Sequence, residues 1–310
     1  MAAGEGADPG LTPGYRLKPG VRLLPRALLL VGIPAIVTAA LLLMPMPELD
    51  AFVADPSGTR ITDSSGVFLS AVPGPGGSFL LRAGRSGIPV ECARMFITLE
   101  DSRFRRHPGV DPLAALRAIM DRALSREARS GASTITMQLA RLVEPRARSV
   151  AGKIVEAWLA LRIESRLTKD EILTEYLDHV PFGRNTLGVG AAAWSYFATD
   201  LSQLTRAQLL VLAIIPRNPT VFDPFDSAPR LIAAARDLDA RRHLGIDSAQ
   251  IEAAVHRARA GRPSGDAPHF ARYVQGELTA GRLRPFDGVL RTTLDLRLNH
   301  DIEGRVRFIL

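Results

Sequence analysis

The sequence predicts a mainly α-helical protein behind a single N-terminal transmembrane helix, with a small β-hairpin layer next to the membrane. Three observations carry this. An uncharged run from Ala27 to Met46 is followed by short apolar runs broken by turn residues from Asp55 to Arg82, and then by a helical period that lasts from Ile88 to about Arg259. The 310 residues are 46% hydrophobic and 23% charged, an ordinary globular composition that excludes a disordered, collagen-like or multi-spanning chain.

The anchor comes first in chain order. Twenty residues, Ala27 to Met46, span a hydrocarbon core of roughly 30 Å when helical. Pro34 costs the span one hydrogen bond, which membrane helices tolerate. Arg16, Lys18, Arg22 and Arg26 precede the run and Glu48 and Asp50 follow it, so residues 1–26 are expected in the cytoplasm and the rest outside. A cleaved signal peptide is the competing reading, with Ala51-Phe-Val-Ala54 as its cleavage site, but the run is longer than the usual apolar region of a signal. The first 25 residues are Gly/Pro-rich and expected to be disordered.

Residues 47–90 form the hairpin layer, signalled by Asp55-Pro-Ser-Gly58, Asp63-Ser-Ser-Gly66, Val67-Phe-Leu69 and Ser78-Phe-Leu-Leu81. Residues 91–260 form the helical domain, as in Glu156-Ala-Trp-Leu-Ala-Leu-Arg-Ile-Glu164 and Leu204-Thr-Arg-Ala-Gln-Leu-Leu-Val-Leu-Ala-Ile-Ile215. Residues 261–310 read as a linker, Gly261 to Pro268, a strand at Val289–Leu294 and a helical pattern at Ile302, Val306 and Ile309 that stops uncapped at Leu310. That last segment is expected to be the start of a truncated second domain.

Charge and cysteine content narrow the function. The net charge is +7, and all but three of the 39 basic residues are arginine, which favours an anionic partner. An exported body excludes nucleic acid, leaving lipid headgroups or a phosphorylated substrate. Cys92 stands alone, so neither an internal disulfide nor a cysteine zinc site can form.

The chemistry is expected around Glu100, with Phe104 and His107 on the same side of one helix. A carboxylate set against an aromatic ring near a helix end suits a general base or acid. Downstream, Arg129 to Arg141 is a glycine-containing turn into a helix capped by Ser133 or Thr134, a place where backbone N–H groups can meet phosphate oxygens. Arg141, Arg148 and Lys153 follow, and Glu156 lies one turn after Lys153, which together suggest diphosphate recognition.

These motifs stand in a familiar order. Glu100-Asp101-x-x-Phe104-x-x-His107-x-Gly109 is followed by Gly131-x-Ser-Thr-Ile-Thr-x-Gln-Leu139 and Arg148-x-x-x-x-Lys153-x-x-Glu156. Next come Lys169-x-x-Ile-Leu-Thr-Glu-Tyr-Leu-Asp178 with Phe182-Gly183 and Gly188-x-Gly-Ala-Ala-x-x-x-Tyr-Phe197, and finally Gln208-Leu-Leu-Val-Leu-Ala-Ile-Ile-Pro-x-x-Pro219. Over about residues 50–260 the chain closely resembles the glycosyltransferase domain of class A penicillin-binding proteins, the family-51 peptidoglycan polymerases. Met137 and Gly152-Lys153 resemble the 1C branch. Arg141-Leu142 replaces the common Lys-Asn and keeps the charge. Gly152 removes a cation that most members carry, and Asp178 replaces the usual Asn.

The resemblance implies a lysozyme-like fold and polymerisation of lipid II into β-1,4 glycan strands, with inversion and release of undecaprenyl diphosphate. Glu100 matches the base for the acceptor hydroxyl, and Glu156 would orient Lys153 and the sugar. The substrate-binding set that goes with them is His107, Ser133, Thr134, Thr136, Gln138, Arg141, Arg148 and Lys153. No cofactor is called for, although a divalent cation is compatible with the diphosphate. The expected partners are lipid II, the growing glycan, the membrane and other wall-synthesis proteins, and the expected location is the inner (cytoplasmic) membrane with the catalytic body on the periplasmic side.

Leu113, Leu116, Met120 and Leu124 form one stripe with Arg117 and Arg122 beside it, a basic amphipathic helix of the kind expected to dip into the bilayer. Two alternatives remain. A lytic hydrolase of the same fold class would need a lone acid without a diphosphate clamp, and a catalytically weak anchored scaffold is the reading from outside enzymes. Ser-x-x-Lys and Lys-Thr-Gly are absent from the sequence, so no transpeptidase activity is expected.

Overall fold

The computed structural model describes residues 33–54, 58–72, 79–80, 82, 87–123, 133–147, 149–260, 267–286 and 288–309. The chain divides into two units, Met1–Pro45 and Met46–Leu310. In the first, the described element is helix α1 (Ile33–Leu43), which is the central part of the predicted anchor. The expected cytoplasmic tail and residues 27–32 lie outside the described residues, as do the Gly131 turn and most of the predicted linker. Among the described residues no helix is long and apolar enough to cross a membrane.

The second unit begins with α2 (Pro47–Val53), where proline at the first turn and Glu48 and Asp50 suit a helix N-terminus. Its Leu49 enters the main core, as does Met46. Strands β1 (Thr59–Thr62) and β2 (Phe68–Val72) then form the expected antiparallel hairpin. Asp63 tightens the turn between them, accepting hydrogen bonds from the backbone of Ser65 at 2.8 Å and of Val67 at 2.7 Å. Burial raises the Asp63 carboxyl, but the Ser65 hydroxyl together with these backbone bonds outweighs it and holds the group below its ordinary value.

Strand β3 (Phe79–Leu80) departs from the expected hairpin layer. It pairs in parallel with a later strand, in a second sheet, because Leu80 is buried there.

The helical body follows as α3 (Val90–Glu100), a 3₁₀ turn at Phe104–Arg106, α4 (Pro112–Ala123), α5 (Ile135–Val143), α6 (Val150–Glu164) and α7 (Lys169–His179). The hairpin β4 (Pro181–Gly183) and β5 (Thr186–Leu187) completes the second sheet, in the order β3-β5-β4. Its turn puts Arg184 and Asn185 at φ 51° and 59°. Asp223 and Asp226 hold the Arg184 guanidinium at 2.7 and 3.0 Å, so contacts far along the chain support this costly conformation.

Helix α8 (Val189–Phe197) leads to α9 (Arg206–Ile214), whose residues Ala207 to Ile214 are all buried. A helix apolar on nearly every side belongs at the centre, and α9 packs against α3, α8, α10 (Ala228–Arg242) and α11 (Ser248–Ala260). Pro216 lies in the 3₁₀ turn Ile215–Arg217 that ends this run, and Arg217 emerges there beside the end of α3.

Helix α12 (Pro268–Thr279) packs on β2, and β6 (Val289–Arg291) pairs in parallel with β1. The strand read as the start of a second domain thus completes the first sheet, ordered β2-β1-β6. A small apolar cluster of Ile61, Leu69, Val274 and Leu296 seals it, and α13 (Leu296–Ile309) follows. Phe68 stacks on Trp194 at 4.2 Å and joins this layer to α8.

Candidate active site

Helix α5 organises the site. Ile135, Met137, Leu139 and Ala140 are buried in the core, while the polar side chains between and before them each hold a different neighbour. Thr134 is the N-cap: its oxygen accepts from the Met137 backbone at 3.1 Å, and its hydroxyl donates to the Gly109 carbonyl at 2.5 Å. Gly109 has φ +95°, and a Cβ there would press against the Ala160 carbonyl, so the close approach needs glycine. One turn on, Gln138 donates to Glu100 Oε2 at 3.0 Å and accepts from the Tyr176 hydroxyl at 2.9 Å.

Glu100 is the last residue of α3, and its side chain is 13% exposed. Its other oxygen, Oε1, accepts from Arg217 Nε at 2.7 Å, while Arg217 Nη2 donates to the Leu99 carbonyl at 2.9 Å. Arg242 reaches the same carbonyl at 3.4 Å. A carboxylate at the negative end of a helix is unfavourable by itself, and the two guanidinium groups offset it. Burial pushes the Tyr176 phenol well above its ordinary value; the Glu100 charge adds to the shift and Arg217 opposes it.

Phe104 and His107 do not continue the helix of Glu100. The chain leaves α3 at Asp101, with φ −155°, and turns through the 3₁₀ segment, so the expected single face is broken. The Phe104 ring faces Lys169, whose Nζ lies 4.4 Å from its centroid. His107 is 5% exposed, and its Nε2 meets both oxygens of Asp101, at 3.1 and 3.0 Å. Asp101 also accepts from the Ile135 backbone at 3.1 Å. His107, expected to bind substrate, therefore braces the loop after Glu100 against the start of α5. Asp111 caps α4, and although burial raises its carboxyl, the Ala114 backbone and Arg103 hold it below its ordinary value.

Within the expected phosphate cradle, Thr136 and Ser133 fall among the described residues. Thr136 is fully buried and donates to Glu164 at 2.6 Å, and Glu164 also holds Lys169 at 2.5 Å. Ser133 is half-buried at the start of the helix.

The second carboxylate has a partner other than the expected one. Arg141 Nε and Nη2 donate to Glu156 Oε1 and Oε2 at 2.6 and 2.7 Å, a two-pronged pair that raises the Arg141 guanidinium. Glu156 was expected to orient Lys153, one turn earlier on α6. Lys153 instead faces solvent, with no ion pair among the described residues, because Glu156 turns inward towards α5. Arg148 lies outside the described residues. Gly152 is buried: its N–H donates to Ser149 Oγ at 2.9 Å, and a Cβ would lie 2.5 Å from the Ala147 carbonyl. Glycine here has a steric reason, since the chain entering α6 passes too close for a side chain. Among the described residues no group of three or more His, Cys, Asp or Glu side chains could hold a metal ion.

One nine-residue helix thus fixes two carboxylates, Glu100 through Gln138 and Glu156 through Arg141, each with a cation attached. The transglycosylase family matches residues 82–244, more than half of the chain and all of this constellation. The chain belongs to the transglycosylase family.

The chain is 40% identical over 201 residues to penicillin-binding protein 1A of Escherichia coli (strain K12), covering 62% of this chain and 23% of that protein. It is 41% identical over 141 residues to penicillin-binding protein 1C of the same organism, covering 46% and 18%. With penicillin-binding protein 4 of Bacillus subtilis (strain 168) it shares 38% identity over 138 residues, 44% of this chain and 22% of the relative. The chain therefore spans less than a quarter of the length of each of these relatives.

Sequence reasoning missed Arg217, Arg242 and the structural part of Tyr176. Arg217 falls at an unspecified position of the Pro216-x-x-Pro219 motif, and a cation just after a buried helix was the only local signal.

Proposed function

We propose that this chain is a membrane-anchored peptidoglycan glycosyltransferase that polymerises lipid II into β-1,4 glycan strands. The observation that carries the reading is the Glu100 carboxylate, fixed at both oxygens by Gln138 and Arg217 yet still partly open to solvent. Held in this way, Glu100 presents its carboxyl group to whatever occupies the open side. It takes the proton of the acceptor 4-hydroxyl as that oxygen attacks C1 of the donor sugar. The C1–O bond to the diphosphate breaks with inversion, and its electron pair leaves with undecaprenyl diphosphate. Cations then stabilise the leaving group without a proton donor: Lys153 on α6, Arg148 five residues before it in sequence, and Arg141 set by Glu156.

The lipid side of the reading is supported by exposed apolar residues. Leu113, Leu116 and Met120 on α4 are 51%, 53% and 52% exposed, so the predicted stripe does not face the core. Val150 and Ile154 flank Lys153 on α6 and are exposed as well. Such faces suit contact with acyl chains or a polyprenyl tail. The uncharged run at 27–46 supports a single-pass anchor with the catalytic body outside. The lytic hydrolase is disfavoured, because it would have no use for the cations Arg141, Arg148 and Lys153.

The test is incubation of the purified chain in liposomes with labelled lipid II. A ladder of glycan products on a gel is expected, and unchanged lipid II with an intact helical circular dichroism spectrum would refute the reading. Protease added outside spheroplasts should digest the region after Met46 and spare an N-terminal tag; recovery of a processed soluble form would favour the signal peptide.

A further inference from the structure

Resting on the reading just given, we propose that Arg217 is a positioning residue that sets the plane of the Glu100 carboxylate. Three features carry this. The guanidinium bonds two points of the same helix end, Glu100 Oε1 at 2.7 Å and the Leu99 carbonyl at 2.9 Å, so it cannot follow Glu100 if that side chain turns. Its own backbone is fixed, since the 3₁₀ turn Ile215–Arg217 contains Pro216 and continues directly from the buried helix α9. Finally, Gln138 holds the opposite oxygen from α5. The carboxylate is gripped from two elements, and one lone pair on each oxygen remains for a substrate hydroxyl.

Without Arg217, Gln138 alone would hold Glu100, and the carboxylate could rotate about its last side-chain bond. Misplacement of a reacting group on this scale slows chemistry much more than binding. Lysine would return the charge but not the fork, because one ammonium cannot reproduce the planar two-point contact.

The experiment measures steady-state lipid II polymerisation by the full chain in detergent for wild type, R217A, R217Q, R217K and E100Q, with circular dichroism on each. R217A is expected to lower kcat about 10- to 100-fold with KM within about twofold. R217K should recover part of that loss, and R217Q, which keeps the side-chain volume, should behave as R217A and gives the same reading if the alanine variant folds poorly. Adding R217A to E100Q should change the residual rate no further, because the group it positions is gone. A raised KM at unchanged kcat would make Arg217 a substrate contact and overturn the proposal, as would wild-type kinetics in R217A or no recovery in R217K. If E100Q is inactive while the Arg217 variants behave as wild type, only this inference fails. If E100Q polymerises normally, the reading of Glu100 as base fails with it.

Discussion

Arg141 grips Glu156 through both carboxylate oxygens, at 2.6 and 2.7 Å, and the Glu156 side chain is only 3% exposed. The pair ties α5 to α6 and stands beside the Gln138–Glu100 contact made one turn earlier on α5. It connects the two carboxylates through a single rigid element. A cation expected to meet the leaving group is therefore oriented in advance by a buried anion.

Breaking that pair should be felt first in stability. Arg141→Ala leaves Glu156 buried and uncompensated, a change worth about 3 kcal/mol because the Arg side chain is itself partly exposed. Arg141→Lys should also destabilise, since lysine cannot make the two-pronged contact. Urea unfolding midpoints check both. A double-mutant cycle with Glu156→Gln that shows no coupling between the two sites would contradict the geometry.

Gly152→Ala gives an unusually clear contest between two effects. Helix propensity alone favours alanine by about 1 kcal/mol. The added Cβ would meet the Ala147 carbonyl at 2.5 Å, and overpacking of this kind costs about 1–3 kcal/mol. The variant should therefore be less stable in urea; a stabilised variant would show that the entry to α6 relaxes freely.

A pH effect is expected from Glu175 on α7. Burial raises its carboxyl above the ordinary value, against the pull of Arg82 at 3.3 Å, and the nearby Glu171 charge adds a small upward push. His179 also faces it, at 3.5 Å. The folded chain then holds a proton that the unfolded chain has released, so this contribution is full below the unfolded value and is lost as pH rises through the folded one. Relative to Glu175→Gln, the wild type should lose stability in urea titrations as pH rises from the ordinary glutamate value through the raised folded one. A flat difference, or one of opposite sign, would contradict the assignment.

The legible parts of the fold were local. The helix start at Thr134 is readable because a cap acts within four residues. The apolar period of α9 likewise marks a core helix. What the sequence did not reveal depends on partners far apart along the chain. Arg217 meets Glu100 across 117 residues, and β6 joins β1 across roughly twice that separation, which no local pattern spans. The Glu100–Phe104–His107 face failed for a different reason. Spacing implies a shared face only while a helix lasts, and α3 ends at Glu100 itself. Lys153 was assigned to Glu156 by the same local rule, although the inward turn of Glu156 to Arg141 is decided by how α5 packs on α6.

The central claim is that the Glu100 carboxylate acts as the base in glycan polymerisation. Glu100→Gln keeps the shape and the Gln138 neighbourhood but removes the group that takes the proton. Measured with labelled lipid II beside wild type, and with matching circular dichroism spectra, it should lower the polymerisation rate about 10²- to 10⁴-fold. A folded Glu100→Gln chain that retains more than about half of the wild-type rate, where loss of a general base predicts at least ~10²-fold, would contradict the account.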